Sequence, residues 1–198
     1  MKKLGVILLS IFLLNFSYSN AYNSDPEIFV KELVDDALQK LSDKNINESE
    51  KVSFIEKIAL ENVDLNALSL YTLGELRKST NKEKLAEYQS IFEKYFLKSL
   101  TSRLKDYSSG TFEIISSDKK SASYTIVKSK IPKNEKKPEI KIDWRIYTKN
   151  ADKPLIRDLI VEGLSLARTQ KEEFSSIINS NDGKIEALLK NLSDFSAK

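Results

Sequence analysis

Apolar residues fall at helical spacing through the first half of the chain, at every second position through the middle, and at helical spacing again towards the end. Pro26 stands where a first helical turn begins. Ile28, Phe29, Leu33, Val34, Ala37, Leu38 and Leu41 then recur three and four residues apart, which predicts an amphipathic helix. After a polar break at Lys44 to Glu48, Val52, Ile55, Ile58, Ala59 and Val63 predict a second helix, and Leu65, Leu68, Tyr71, Leu73 and Leu76 a third. Thr80 followed by Glu83 has the form of a capping box. Behind it Leu85, Tyr88, Ile91, Phe92, Tyr95, Phe96, Leu100, Leu104 and Tyr107 carry a long fourth helix, which Ser108, Ser109 and Gly110 end.

The period then becomes two. Phe112 with Ile114, Tyr124 with Ile126, Ile140 through Ile146, and Leu155 to Val161 predict four strands. The turn residues Asp118, Pro132, Asn134, Pro138, Asn150 and Asp152 between them make an antiparallel meander the simplest connection. From Ser165 a helix is predicted through Leu166, Ala167, Phe174, Ile177 and Ile178, and a last one, after a break at Asn181 to Gly183, through Ile185, Leu188, Leu189, Leu192 and Phe195. The expectation is one α+β domain over residues 22–198, with four helices, a four-stranded antiparallel sheet and two helices. No internal repeat or low-complexity tract interrupts it.

The first twenty-one residues stand outside this pattern. Lys2 and Lys3, the apolar run Leu4 to Leu14 and the small residues around Ser19 and Ala21 have the form of a secretory leader cut after Ala21. The run is shorter than the ~20 residues that span a bilayer, and Asn15 interrupts it. The mature chain is therefore expected to be exported, and its lack of cysteine fits a bacterial periplasm.

Without the leader, 30 basic residues stand against 29 acidic ones, a net charge of +1, which is not the balance of a nucleic-acid binder. The chain has no cysteine, so stability rests on packing, and no histidine, which removes Ser–His and Cys–His catalysis and imidazole metal sites. Lys119, Lys120, Lys128, Lys130, Lys133, Lys136, Lys137 and Lys141 crowd one hairpin, as a solvated edge guarded against aggregation or as a surface that steers acidic partners. Asp158 lies in an otherwise apolar strand; Arg145 and Arg157 make ion pairing its simplest role. Gly163 lets the chain turn from strand to helix, with Glu162 completing the turn, and Ser165 is placed to cap the helix that follows.

Two segments, residues 73 to 96 and 144 to 174, resemble the MlaC, or toluene-tolerance, family of periplasmic phospholipid-binding proteins. The first resemblance lies in Leu73–Gly74, the basic Arg77, the small polar helix start Ser79 to Asn81 and the Phe/Tyr-rich helix after it. The second lies in Asp158, Leu159, Ile160, Val161, Glu162, Gly163, Leu164 and Ser165. The chain departs from the family pattern at Pro154 and Arg157, where aromatics are usual, and at Lys171, where an arginine is common.

The resemblance implies a soluble carrier with phospholipid as cargo; no enzyme activity, cofactor or metal is expected, and a shuttle works most simply as a monomer. Its implied partners are an inner-membrane ABC transporter with an MCE-domain subunit and an outer-membrane lipoprotein complex. It also implies an apolar cavity between sheet and helices. Tyr71, Leu73, Phe92, Phe96, Leu100, Ile126, Trp144, Ile160 and Leu166 are the residues expected to line it, with the aromatic stripe of the long helix facing Ile126, Trp144 and Ile160. A packed core would leave the same trace in the sequence. Two further readings stand beside it: a cone-like α+β enzyme in which Asp158 works with Tyr124 or Tyr147, and a periplasmic adaptor or chaperone for apolar protein segments.

Overall fold

Asp25 accepts hydrogen bonds from the backbone N–H groups of Glu27 and Ile28, and with Pro26 in the first turn it starts helix α1, Pro26–Ser42. The computed structural model describes residues 22–104, 111–135 and 138–198. The leader, Tyr107 to Gly110, Lys136 and Lys137 lie outside the described residues. Asn47 and Glu50 form a reciprocal capping box at the start of α2, Glu48–Asn62. Asp64 caps α3, Leu65–Leu73, by accepting from Ala67 N–H.

The third helix does not continue to Leu76 as an α-helix. Gly74 adopts φ +64°, and the chain passes into a 3₁₀ turn over Gly74–Lys78. A Cβ at position 74 would come within 3.3 Å of Lys171 Cε, so the glycine also makes room for a side chain from elsewhere in the fold. The cap of α4, Lys82–Leu104, is Asn81, whose Oδ1 accepts from Lys84 N–H, and not the expected Thr80; the Thr80 hydroxyl donates backwards to Leu76 O.

The sheet is an antiparallel meander of β1 Glu113–Ser121, β2 Tyr124–Ile131, β3 Ile140–Tyr147 and β4 Leu155–Val161, extended by a fifth strand that periodicity does not reveal, β5 Leu164–Ser165. Glu162 at φ 49° and Gly163 at φ 81° form a two-residue turn that folds β5 back on β4, pairing Val161 with Leu164 and Ile160 with Ser165. Helices α5, Leu166–Asn179, and α6, Ile185–Ser196, complete the chain. Ser165 caps α5 as expected, accepting from Arg168 N–H.

One face of the sheet carries Thr125, Val127 and Ser129 of β2 beside Ile142, Trp144 and Ile146 of β3, and α1 packs on it through Phe29 and Val30. Trp144 is a core residue: its indole N–H donates to Ser129 Oγ at 2.9 Å, and Phe112 meets its ring edge to face. In β4 the register shifts at Arg157. Strict alternation would place Ile156 and Asp158 on the same face. The bulge instead sends Ile156 to the α1 core, opposite Ile146, and Asp158 to the other face, opposite Arg145.

Arg157 and Asp158 tether the helices to this strand. Asp158 Oδ1 accepts from the Ala167 backbone N–H at 3.0 Å, and Oδ2 accepts from Ser165 Oγ at 2.6 Å and lies 3.5 Å from Arg145 Nη1. Arg157 Nε donates to Asp64 Oδ2 at 2.8 Å, its Nη1 donates to Tyr124 Oη, and the guanidinium sits 3.4 Å from the Tyr147 ring centroid. The α2–α3 junction is held to the same strand by the bond from Asp64 N–H to Ile156 O.

Asp158→Ala removes the acceptor for a buried helix N-terminal N–H and the partner of Arg145, and should destabilise the fold by about 3 kcal/mol; Asp158→Asn, which keeps an acceptor, should lose less, both read from urea denaturation. A second prediction concerns Tyr88, wholly buried, whose hydroxyl bonds Thr72 Oγ1 and Ser69 O. Burial, the larger effect, holds its phenol well above its ordinary pKa, against a smaller lowering by Thr72. Stability from this group is intact below the unfolded value near 10 and is lost as pH rises above it. Tyr88→Phe should therefore cost about 1 kcal/mol at pH 8, and the gap to the parent chain should narrow at pH 11.

Candidate functional site

Among the described residues three apolar clusters, rather than one, hold the protein together. The first joins α3, α4, α5 and α6 around Leu73, Tyr88, Phe92, Phe174, Leu188 and Leu192. The second joins α1 to the sheet around Phe29, Val30, Val127, Trp144, Ile146 and Ile156. The third is small, with Leu41, Ile55 and Ile58 packed by Ala37, Phe54 and Leu100. Helix α1 contributes to the second and third clusters, and α4 to the first and third.

The stretch of α4 that runs between clusters has an unusual exposure. Tyr95, Phe96, Leu97, Lys98, Ser99 and Leu100 are all partly accessible, so no side of this helix segment is fully covered and no side is fully solvated. Phe96 stacks on Phe92 with ring centroids 6.3 Å apart, and Leu100 reaches the third cluster beside Phe54. Phe96, Leu97 and Leu100 thus form a partly accessible apolar wall on α4. Tyr95 is fixed at its edge by a bond from its hydroxyl to Gln170 Oε1 at 2.9 Å and by edge contact with Phe174. Burial pushes the Tyr95 phenol above its ordinary pKa.

The nine residues expected to line a cavity do not converge on one wall. Leu73 and Phe92 are sealed in the helical cluster, each 2 % exposed, while Phe96 and Leu100 form the half-open wall. Helix α4 packs chiefly on α6, α3 and α2, so its aromatic stripe meets helices where the sheet was expected. Trp144 faces α1. Ile126 and Ile160 pair with Arg145 and Asp143, which puts them on the opposite face of the sheet from Trp144. Ile126 is there because the buried residues of β2 are Thr125, Val127 and Ser129, two of them polar, so hydrophobicity marks the wrong face. Ile160 is there because it follows the β4 bulge. Tyr71 and Leu166 are exposed, at 43 % and 39 %; Tyr71 lines an open polar groove on the outer side of α3 and α5. Leu97 on this wall, and Phe54 beside Leu100 in the third cluster, are residues that periodicity did not single out.

Asp158 and the tyrosines are engaged structurally. Both Asp158 oxygens have partners at the start of α5, and Tyr124 and Tyr147 flank Arg157. The lysine hairpin is partly neutralised: Lys120 and Lys128 pair with Asp118, and Lys130 with Glu113 and Glu139. These pairs hold the Asp118 carboxyl below its ordinary value, through Lys120 first, and the Lys130 ammonium above its own, through Glu139 first. Among the described residues no helix is long and apolar enough to cross a membrane.

The sequence profile of the MlaC protein family matches residues 31–194. No sequence among the curated proteins matches the chain. Among solved structures, the fold is similar to that of a phospholipid-binding protein from Ralstonia solanacearum, determined in complex with a phospholipid, with a TM-score of 0.70 at 20% sequence identity over 85% of this chain and 94% of that one. The profile match extends over α2 to α5 and most of α1 and α6, and includes the Asp158–Ser165 turn and the Leu73–Gly74 break. The chain belongs to the MlaC family.

Proposed function

We propose that the protein is a periplasmic phospholipid carrier, exported by its N-terminal leader and acting without catalysis or cofactor. The half-open apolar wall of α4 carries this reading: a segment bearing Phe96, Leu97 and Leu100 that is neither buried nor solvated fits acyl chains. Family membership and a fold shared with a protein that binds phospholipid support it.

The energetics set what such a carrier has to do. Each methylene removed from water gains about 0.8 kcal/mol, so some thirty methylenes of a diacyl lipid represent on the order of 24 kcal/mol gross, and free lipid does not cross water. The carrier has to match that gain closely without exceeding it, or the lipid never leaves. Three modest apolar clusters, in which α1 and α4 are shared, leave α4 side chains only partly covered, and a guest can complete that cover. In this proposal the chain works as a monomer. It exchanges lipid with an inner-membrane ABC transporter bearing an MCE-domain subunit and with an outer-membrane lipoprotein complex, and so maintains outer-membrane lipid asymmetry.

Mass spectrometry of an organic extract of the purified protein should find near-stoichiometric phospholipid. Phe96→Asp or Leu100→Asp, in chains that keep the parent far-UV circular dichroism, should lower the bound lipid at least fivefold, whereas Ile115→Asp, at an exposed position on edge strand β1, should leave it unchanged. A clean extract with no uptake from liposomes would remove the carrier reading.

A further inference from the structure

The open groove beside α5 lies away from the apolar wall and has its own chemistry. It has a volume of about 740 Å³ and lies between α3 and the outward side of α5. Tyr71, Arg168, Lys171, Ser175, Ser176 and Asn179 line it, with Glu172 as the acid among them. Ser175 and Asn179, and Ser176 and Ser180, are one helical turn apart on α5, so part of the groove is walled by short side chains past which a second backbone can come close.

One of its two cations is set in place before any partner arrives, and the other is free to pair. Lys171 Nζ lies 5.4 Å from the centroid of the Tyr71 ring. Its stem crosses the space that Gly74 leaves open, where a Cβ would come within 3.3 Å of Lys171 Cε. Arg168 is exposed and has no ion-pair partner among the described residues. The adjoining 3₁₀ turn adds Arg77, whose guanidinium bonds Gly74 O, and Lys78, which pairs with Glu75. Lys78 first and then Arg77 and Lys171 hold the Glu75 carboxyl below its ordinary value, which places all three cations in one field. Arg168 and Lys171 line the groove with Glu172, and Arg77 and Lys78 stand with Glu75 on the adjoining turn, a local positive excess on a chain whose expected mature charge is close to zero.

We infer that this groove is a docking surface for an acidic segment of a partner protein. A small-molecule site buries most of its ligand, whereas this groove is open along its length. A flat bilayer does not reach the floor of a concave surface, but a peptide backbone does. The partly exposed Tyr71 and Arg168 are of the residue types that anchor protein interfaces, and a lysine already held over an aromatic ring loses little freedom on pairing with a carboxylate. Glu172 selects against basic segments. The inference does not depend on the cargo, because the groove and the α4 wall share no residue.

The test is nuclear magnetic resonance of the ¹⁵N-labelled protein, with and without extracted lipid, titrated with a twelve-residue peptide of repeated Glu-Leu-Ala-Glu. A Lys-Leu-Ala-Lys peptide and phosphatidylglycerol vesicles serve as comparisons. The acidic peptide should shift the backbone resonances of Tyr71, Arg168, Lys171 and Ser176. Arg168→Glu should weaken binding about tenfold, as for reversal of a charge at an interface rim, and Glu172→Gln should strengthen it. The inference is overturned by unmoved groove resonances at millimolar acidic peptide, by shifts centred on the β1–β3 lysines, by equal binding of the basic peptide, or by an unaltered affinity in Arg168→Glu. Vesicles that perturb the groove while the peptide does not would assign it to membrane contact and equally overturn it.

Discussion

Strand β4 is the member on which the two layers of this protein depend. Arg157 and Asp158 are neighbours, and a bulge at Arg157 turns Asp158 away from the apolar face that Ile156 and Leu159 give to the α1 core. Asp158 then receives the first turn of α5, and Arg157 clasps Asp64, the residue that caps α3. Both bonds are charge-assisted, with one partner largely buried, a setting in which removal of either partner leaves an expensive orphan. Helices α3 and α5 are therefore joined to the sheet by polar tethers at β4, beside the apolar packing of α1 on the sheet.

That arrangement explains why the interior is divided. Tethers at β4 and the shared helices α1 and α4 fix the relative positions of the clusters without requiring apolar contact between the sheet and the aromatic residues of α4. A single continuous core would have sealed Phe96, Leu97 and Leu100, since protein interiors are close-packed and leave few voids. Holding α3 and α5 to β4 by polar bonds leaves these three residues partly accessible. In the proposed carrier, stability and cargo binding draw on different parts of the molecule.

Much of this fold was legible in the chain because its signals are local. The period of three to four along Leu85 to Leu100, the period of two along Ile140 to Ile146, Pro26 at a helix start and Ser165 before a helix each act within a few residues, and each element lies where they predict. The 3₁₀ turn at Gly74 and the short strand β5 were hidden because they involve too few residues to establish a period. The candidate site was less legible. Which face of β2 is buried is decided by Thr125 and Ser129, whose polarity points the other way, and the face of Ile160 is decided by a bulge that no alternation announces. The Asp64–Arg157 tether joins residues 93 positions apart and leaves no local trace. Phe96 and Leu100 lie on the α4 stripe that the helical period marks, because such a stripe survives small errors in phase, whereas a strand face is reversed by a shift of one.

The most direct test of the divided interior as a lipid site is photo-crosslinking with a phospholipid that carries a diazirine at the end of one acyl chain, followed by mass-spectrometric mapping of the labelled residues. The account predicts adducts on α4 between Tyr95 and Leu100 and on Phe54 of α2, competed away by unlabelled phospholipid. Adducts confined to exposed residues such as Tyr71, Leu164 and Leu166, or labelling that excess lipid does not reduce, would contradict it.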